Sequence, residues 1–135
     1  MHNCVFCGIA AGDIPAHVLY EDAALMVILD AFPSSLGHAL VIPKNHADDI
    51  YTLPAETAGR LFVLAAQTAT RLKDALSCDG INILQNNGEA AGQTVHHFHL
   101  HIIPRYKGDD VRIAWHHAAP SAETVQAFAA KWKNE

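Results

Sequence analysis

His97, His99 and His101 stand two residues apart in the run His97-Phe98-His99-Leu100-His101-Ile102-Ile103. Imidazole binds metals, carries protons near neutral pH and, held in one tautomer, attacks electrophiles. Alternation with large apolar residues predicts a half-buried β-strand, because successive strand side chains point to opposite faces. Phe98, Leu100 and Ile102 then face a core while the histidines line the other face, neighbours about 6.5–7 Å apart. His96 falls on the apolar side by parity and reads as the residue before the strand. Such a row suits either metal binding or chemistry on an anion. The second chemical cluster is Cys4-Val5-Phe6-Cys7, a Cys-x-x-Cys that in a reducing compartment points to metal or redox work. A thioredoxin-like site is disfavoured, since no strand precedes the motif and no βαβ pattern follows. A closed zinc site takes four N/S ligands, so two histidines would come from elsewhere in the chain.

The elements that must position these residues can be read in order. Residues 3–12 form a short helical turn ending at Gly12, and Asp13-Ile14-Pro15 is turn chemistry. Residues 17–21 and 24–30 read as a hairpin, the second strand continuously apolar as a central strand should be. Residues 31–37 form a Pro- and Gly-containing loop, and 38–43 a third strand stopped by Pro43. Pro54 opens a helix, with Glu56 in its first turn. Leu61, Leu64, Ala65, Thr68, Leu72 and Leu76 then recur at helical spacing, giving an amphipathic helix of about six turns. Residues 81–85 begin a fourth strand, and 86–94 form a polar loop leading into the histidine strand, which Pro104 and Arg105 end. Ser121 can N-cap a C-terminal helix. Cys78 reads as a small buried apolar residue, and His116-His117 as surface. The predicted class is α+β: an antiparallel sheet of about five strands with one long helix and a C-terminal helix.

At 135 residues the chain fits one domain, residues 1–135, with room for a proper core. Half of its residues are hydrophobic and 17% are charged, which argues against disorder. A formal charge of -5 leaves no basic footprint for nucleic acid. There is no apolar run long enough for a membrane span and no signal-peptide pattern at the N-terminus, so the expectation is a soluble, cytoplasmic protein.

The pattern His-φ-His-φ-His-φ-φ, with φ apolar, resembles the histidine-triad (HIT) family of nucleotide hydrolases and transferases. Leu29-Asp30-Ala31-Phe32-Pro33, residues 37–44 (Gly-His-Ala-Leu-Val-Ile-Pro-Lys) and Gly92-Gln93-Thr94-Val95 extend the resemblance over about residues 4–105. Residues 106–135 are a C-terminal extension outside it. The resemblance implies that His99 attacks the α-phosphorus of a purine nucleotide and gives a nucleotidyl-histidine that water hydrolyses. The substrate would be a dinucleoside polyphosphate or a nucleoside phosphoramidate, and a nucleoside monophosphate would be released. It implies substrate contacts for Asp30 (ribose), Asn86, Gln93, Thr94 and His101, and a supporting role for His38. Phe6, Ile9 and Ile28 would either sandwich the base or simply belong to the core. It also implies structural Zn2+ held by Cys4, Cys7, His46 and His97, and a homodimer. A nucleotidyltransferase of the same mechanism and a nucleotide-binding regulator with vestigial hydrolysis are the competing readings.

Overall fold

The computed structural model describes residues 3–134. Its elements are α1 (Val5–Ala10), β1 (Val18–Glu21), β2 (Leu25–Leu29), β3 (Ala39–Pro43), α2 (Ala55–Leu76), β4 (Gly80–Leu84), β5 (Leu100–Arg105) and α3 (Ala122–Lys133). The five strands make one antiparallel sheet in the order β1-β2-β3-β5-β4. None of the described helices is long and apolar enough to cross a membrane.

Both faces of the sheet are covered, which explains why β2 and β3 are continuously apolar rather than alternating. On one face Leu25, Val27, Ala39, Val41, Leu100 and Ile102 pack with Leu61, Leu64 and Ala65 of α2. Burying each of the larger side chains stabilises the fold by about 1.5–3 kcal/mol, so this layer holds α2 on the sheet. On the other face Met26, Ile28, Leu40 and Ile42 pack with Phe6 of α1. The twenty-two residues of α2 match the predicted six-turn helix. At its start Ser121 accepts a hydrogen bond from Thr124 N–H and caps α3, while Val125, Phe128 and Trp132 on that helix are exposed.

One sequence expectation about the histidine strand needs correction. The alternation itself holds: Phe98, Leu100 and Ile102 lie in the α2-facing core. The ladder, however, starts at Leu100, so His97 and His99 precede it. Upstream of Leu100 the chain bonds to the turn after β3 instead, with Phe98 N–H donating to the Ala47 carbonyl at 2.7 Å. Pro104 and Arg105 end the strand as expected, with Pro104 paired to Ile81 near the end of the ladder. Pairing with β3 covers only Leu100 to Ile102, so the N–H that proline lacks has no partner to lose on that side.

Gly37 lies at φ +89, and a Cβ built there would come within 2.6 Å of Leu76 Cδ1. The conformation alone costs an L-residue roughly 1–2 kcal/mol. Gly37→Ala is therefore expected to lower the thermal midpoint measurably, and an unchanged midpoint would refute this reading of the β2–β3 loop.

Candidate active site and metal centre

His97, His46, His99 and His38 each have one ring nitrogen committed to a partner of fixed character, so their tautomers follow from the bonding. His97 Nε2 lies 2.7 Å from the Pro43 carbonyl. A carbonyl only accepts, so Nε2 carries the proton and Nδ1 is left with a lone pair. That lone pair faces Cys4 Sγ at 3.2 Å and Cys7 Sγ at 3.5 Å. His46 is arranged alike: its Nε2 donates to Asp48 Oδ1 at 2.6 Å, and Nδ1 faces Cys7 Sγ at 3.3 Å. All four candidate ligand atoms lie within 4.8 Å of one another. In a tetrahedral zinc site with Zn–S near 2.3 Å and Zn–N near 2.05 Å, sulfur and nitrogen stand about 3.5 Å apart. The donor set and its spacing therefore fit a tetrahedral cation. Burial, with the neighbouring Cys4 adding to it, pushes the Cys7 thiol up, so deprotonation there calls for a nearby cation. Burial likewise pushes His97 down, which keeps it neutral and able to ligate.

His99 is committed the other way round. Its Nδ1 donates to the His97 carbonyl at 2.7 Å, leaving the Nε2 lone pair free. Among the described residues Nε2 has no hydrogen-bond partner, yet it is not a sealed, unsatisfied atom. His99 lines a cavity of about 750 Å³, and the ring is held edge-on by Phe6 at a centroid distance of 5.0 Å. Burial depresses its pKa, with the bond to His97 opposing, so the ring is neutral at pH 7.

His101 presents the opposite character. Ser34 N–H donates to His38 Nδ1 at 3.0 Å, which puts the His38 proton on Nε2. That N–H donates to His101 Nδ1 at 2.9 Å, so neutral His101 carries its proton on Nε2. Asp30 Oδ2 stands 3.3 Å from His38 Nε2 and 4.0 Å from His101 Nδ1, while Oδ1 accepts Phe32 N–H at 2.8 Å. Asp30 thus caps a turn with one oxygen and faces the imidazoles with the other. Neighbouring histidines thereby offer a nucleophilic lone pair and a hydrogen-bond donor.

The remaining predicted residues separate. Thr94 lines the cavity with Asp30, His38, His99 and His101, and Phe6, Ile9 and Ile28 form part of its apolar wall. Asn86 reaches back to the Gly92 carbonyl at 3.5 Å and is not among the cavity-lining residues. Gln93 differs from expectation. Its side chain is only 4% exposed, and its amide is consumed within the protein. Oε1 accepts Gly88 N–H at 2.8 Å, and Nε2 donates to the Asp48 and Val95 carbonyls at 2.7 and 3.1 Å. Sequence reasoning missed Asp48, whose signal was a carboxylate two residues after a candidate ligand histidine, and the Pro43 and His97 carbonyls, which have none.

Comparison with known proteins bears on this geometry. The profile described as HIT domain matches residues 11–108. The chain belongs to the HIT family. It is 38% identical over 127 residues to the adenosine 5'-monophosphoramidase of Schizosaccharomyces pombe, covering 93% of this chain and 92% of that one. A HIT family protein of Bacillus anthracis superimposes with a TM-score of 0.90 at 41% identity, over 98% of this chain and 96% of that chain. A zinc-bound histidine triad protein of Mycobacterium smegmatis superimposes with a TM-score of 0.79 at 38% identity, over 98% and 97%. The HIT family thus includes a named phosphoramidase and a zinc-bound member.

Two outcomes follow from the histidine geometry. Burial, then the proximity of His99 and His38, lower the His101 pKa from 6.5 to about 4, and Asp30 opposes them in part. The unfolded chain protonates His101 at 6.5 while the folded chain resists, so stability is full above 6.5 and declines as pH falls toward 4. The difference in unfolding free energy between wild type and His101→Asn should shrink across that window by about 2–4 kcal/mol; a difference independent of pH would sink the assignment. Separately, metal analysis should find about one zinc per chain, and Cys4→Ser should lose both zinc and thermal stability. A Cys4→Ser protein that keeps both would exclude the centre.

Proposed function

We propose that the protein is a nucleotide hydrolase that cleaves at the α-phosphate of nucleoside phosphoramidates or dinucleoside polyphosphates and releases a nucleoside monophosphate. The observation that carries this reading is the opposite polarity of the two neighbouring rings: His99 offers its Nε2 lone pair, and His101 offers its Nε2–H. The named phosphoramidase among the relatives supports it.

In the proposed reaction His99 Nε2 forms a bond to the α-phosphorus as the bond to the leaving group breaks. Catalysis here requires positioning and neutralisation of the non-bridging oxygens. His101 Nε2–H and Thr94 at the cavity wall are suited to donate to them, with Asn86 beside the loop. His97 O accepts from His99 Nδ1–H and stabilises the ring as it becomes cationic. Water then attacks phosphorus and the P–Nε2 bond breaks. The leaving group takes its proton from His101 Nε2–H as its bond to phosphorus breaks, and the water that attacks in the second step returns a proton to that nitrogen. Asp30, which lines the cavity, would meet ribose hydroxyls, which suit a carboxylate acceptor. The wall of Phe6, Ile9 and Ile28 suits the faces of a purine. Cys4, Cys7, His46 and His97 would hold zinc, whose contribution is to fix the fold around His97, since four ligands leave no open position.

The reading extends to a cytoplasmic homodimer. The edge of β4, with Ile83 exposed, and Phe62 on α2 offer unpaired backbone and apolar area for a second copy.

His99→Ala should reduce release of AMP from adenosine phosphoramidate by about 10³-fold or more while AMP still binds, the signature of a lost nucleophile. Acid-quenched wild type should contain adenylated histidine. Turnover that survives in His99→Ala would end the proposal, and AMP binding without turnover in wild type would favour the regulator reading instead.

A further inference from the structure

The segment from His46 to Ile50 touches both parts of the site. His46 Nδ1 faces Cys7 Sγ at 3.3 Å. The Ala47 carbonyl accepts Phe98 N–H at 2.7 Å, between His97 and His99. Asp48 accepts His46 Nε2–H on its side chain and Gln93 Nε2–H on its carbonyl, at 2.6 and 2.7 Å. Ile50 N–H donates to Asn87 Oδ1 at 2.7 Å. Gln93 carries the connection onward, because its Oε1 accepts Gly88 N–H. Asn87 is in turn clamped to Gln85 by two side-chain bonds of 2.8 and 2.6 Å.

The loop needs such tethers. Gly88 and Gly92 sit at φ +90 and +95, and between them lies only a three-residue 3₁₀ turn whose side chains are exposed. Exposed glycine-rich backbone with few apolar contacts opens at little cost in free energy, and holding it in one conformation costs about 1–2 kcal/mol per residue. The fixed end of both tethers is residues 48 and 50, a short distance along the chain from a candidate metal ligand.

We infer that residues 46–50 couple the Cys4/Cys7/His46/His97 centre to the loop Asn86–Thr94, with Gln93 as the positioning residue that transmits the coupling. A cation at the centre fixes the His46 ring and through it Asp48. Gln93 then holds Gly88 and, through the loop, its end at Thr94 on the cavity wall where an anion meets it, so the loop is ordered before the anion arrives. The inference rests on the proposed reading of this loop as the phosphate site. Linkage makes the effect reciprocal: an anion on the loop must tighten the metal by the same factor.

The test uses the full chain, zinc-loaded and chelator-stripped, with AMP as the probe. Stripping wild type should weaken AMP binding about tenfold, within the usual range of site–site coupling, and speed amide exchange at residues 88–94. Gln93→Met, which removes the amide but keeps the length, should retain zinc. It should bind AMP equally in both states, with fast loop exchange in both. Asn87→Ala cuts the other tether and should lose part of the metal dependence, which keeps the test available if Gln93→Met fails to fold. Should stripping unfold the chain, zinc affinity with and without AMP decides: AMP raises it in wild type and not in the variants. Loop exchange in folded wild type that ignores zinc overturns the coupling, as does a Gln93→Met protein that keeps the full metal dependence. A loaded wild type that binds no AMP overturns the functional reading instead, and the exchange comparison still judges the coupling without nucleotide.

Discussion

The hydrogen bond from His97 Nε2 to the Pro43 carbonyl is the constraint on which the rest of the site depends. It fixes which nitrogen of His97 is protonated and so turns the other toward Cys4 and Cys7. It also uses the last carbonyl of β3, which marks where the sheet ends and the site begins. The same residue then offers its own carbonyl to His99 Nδ1 and sets the tautomer of the next ring. His97 is fully buried, so none of these bonds competes with bulk water. The candidate ligand cluster and the His99 ring are thereby oriented by one side chain and its own backbone.

A second chain of tautomers arrives from the opposite direction. It runs from Ser34 N–H through His38 to His101 and ends in a donor. The two chains meet between His99 and His101, whose ring centroids are 5.0 Å apart. Burial lowers the pKa of both rings, and a proton on one raises the cost of a proton on the other. Keeping both neutral preserves a lone pair beside an N–H, the pairing that attack on an anionic phosphorus centre requires. Asp30 sits close enough to His38 to moderate that depression, which links the expected sugar contact to the electrostatics of the donor.

The Cys4/Cys7/His46/His97 cluster and the histidines lining the cavity are tied together by one segment. Segment 46–50 carries bonds to His97's neighbour Phe98, to the loop through Gln93 and Asn87, and to the candidate ligand set through His46. Zinc in such a place would supply rigidity rather than Lewis acidity, in the way that outer partners orient ligands elsewhere. Gln93 illustrates how a motif residue can serve a site without facing its ligand: its polar atoms are all engaged below the loop surface.

The sequence by itself determined much of this protein. The period-two pattern put Phe98, Leu100 and Ile102 into one layer and the histidines on the other side. Only the part from Leu100 onward is ladder, and the chain before it keeps the alternation through its bond to Ala47. Helical spacing likewise placed Leu61, Leu64 and Ala65 against the sheet, and the Cys-x-x-Cys motif announced a centre in need of two more ligands. The family pattern then named His46 and His97, and those four ligand atoms do converge. Tertiary structure alone decided what each ring nitrogen does, since that depends on backbone carbonyls at Pro43 and His97 that look identical to every other carbonyl in a sequence. It decided where the ladder stops, because that is set by which partner has a free N–H or C=O. It also turned Gln93 inward, for a glutamine in a polar loop can face either solvent or backbone, and the choice belongs to Asp48 and Gly88.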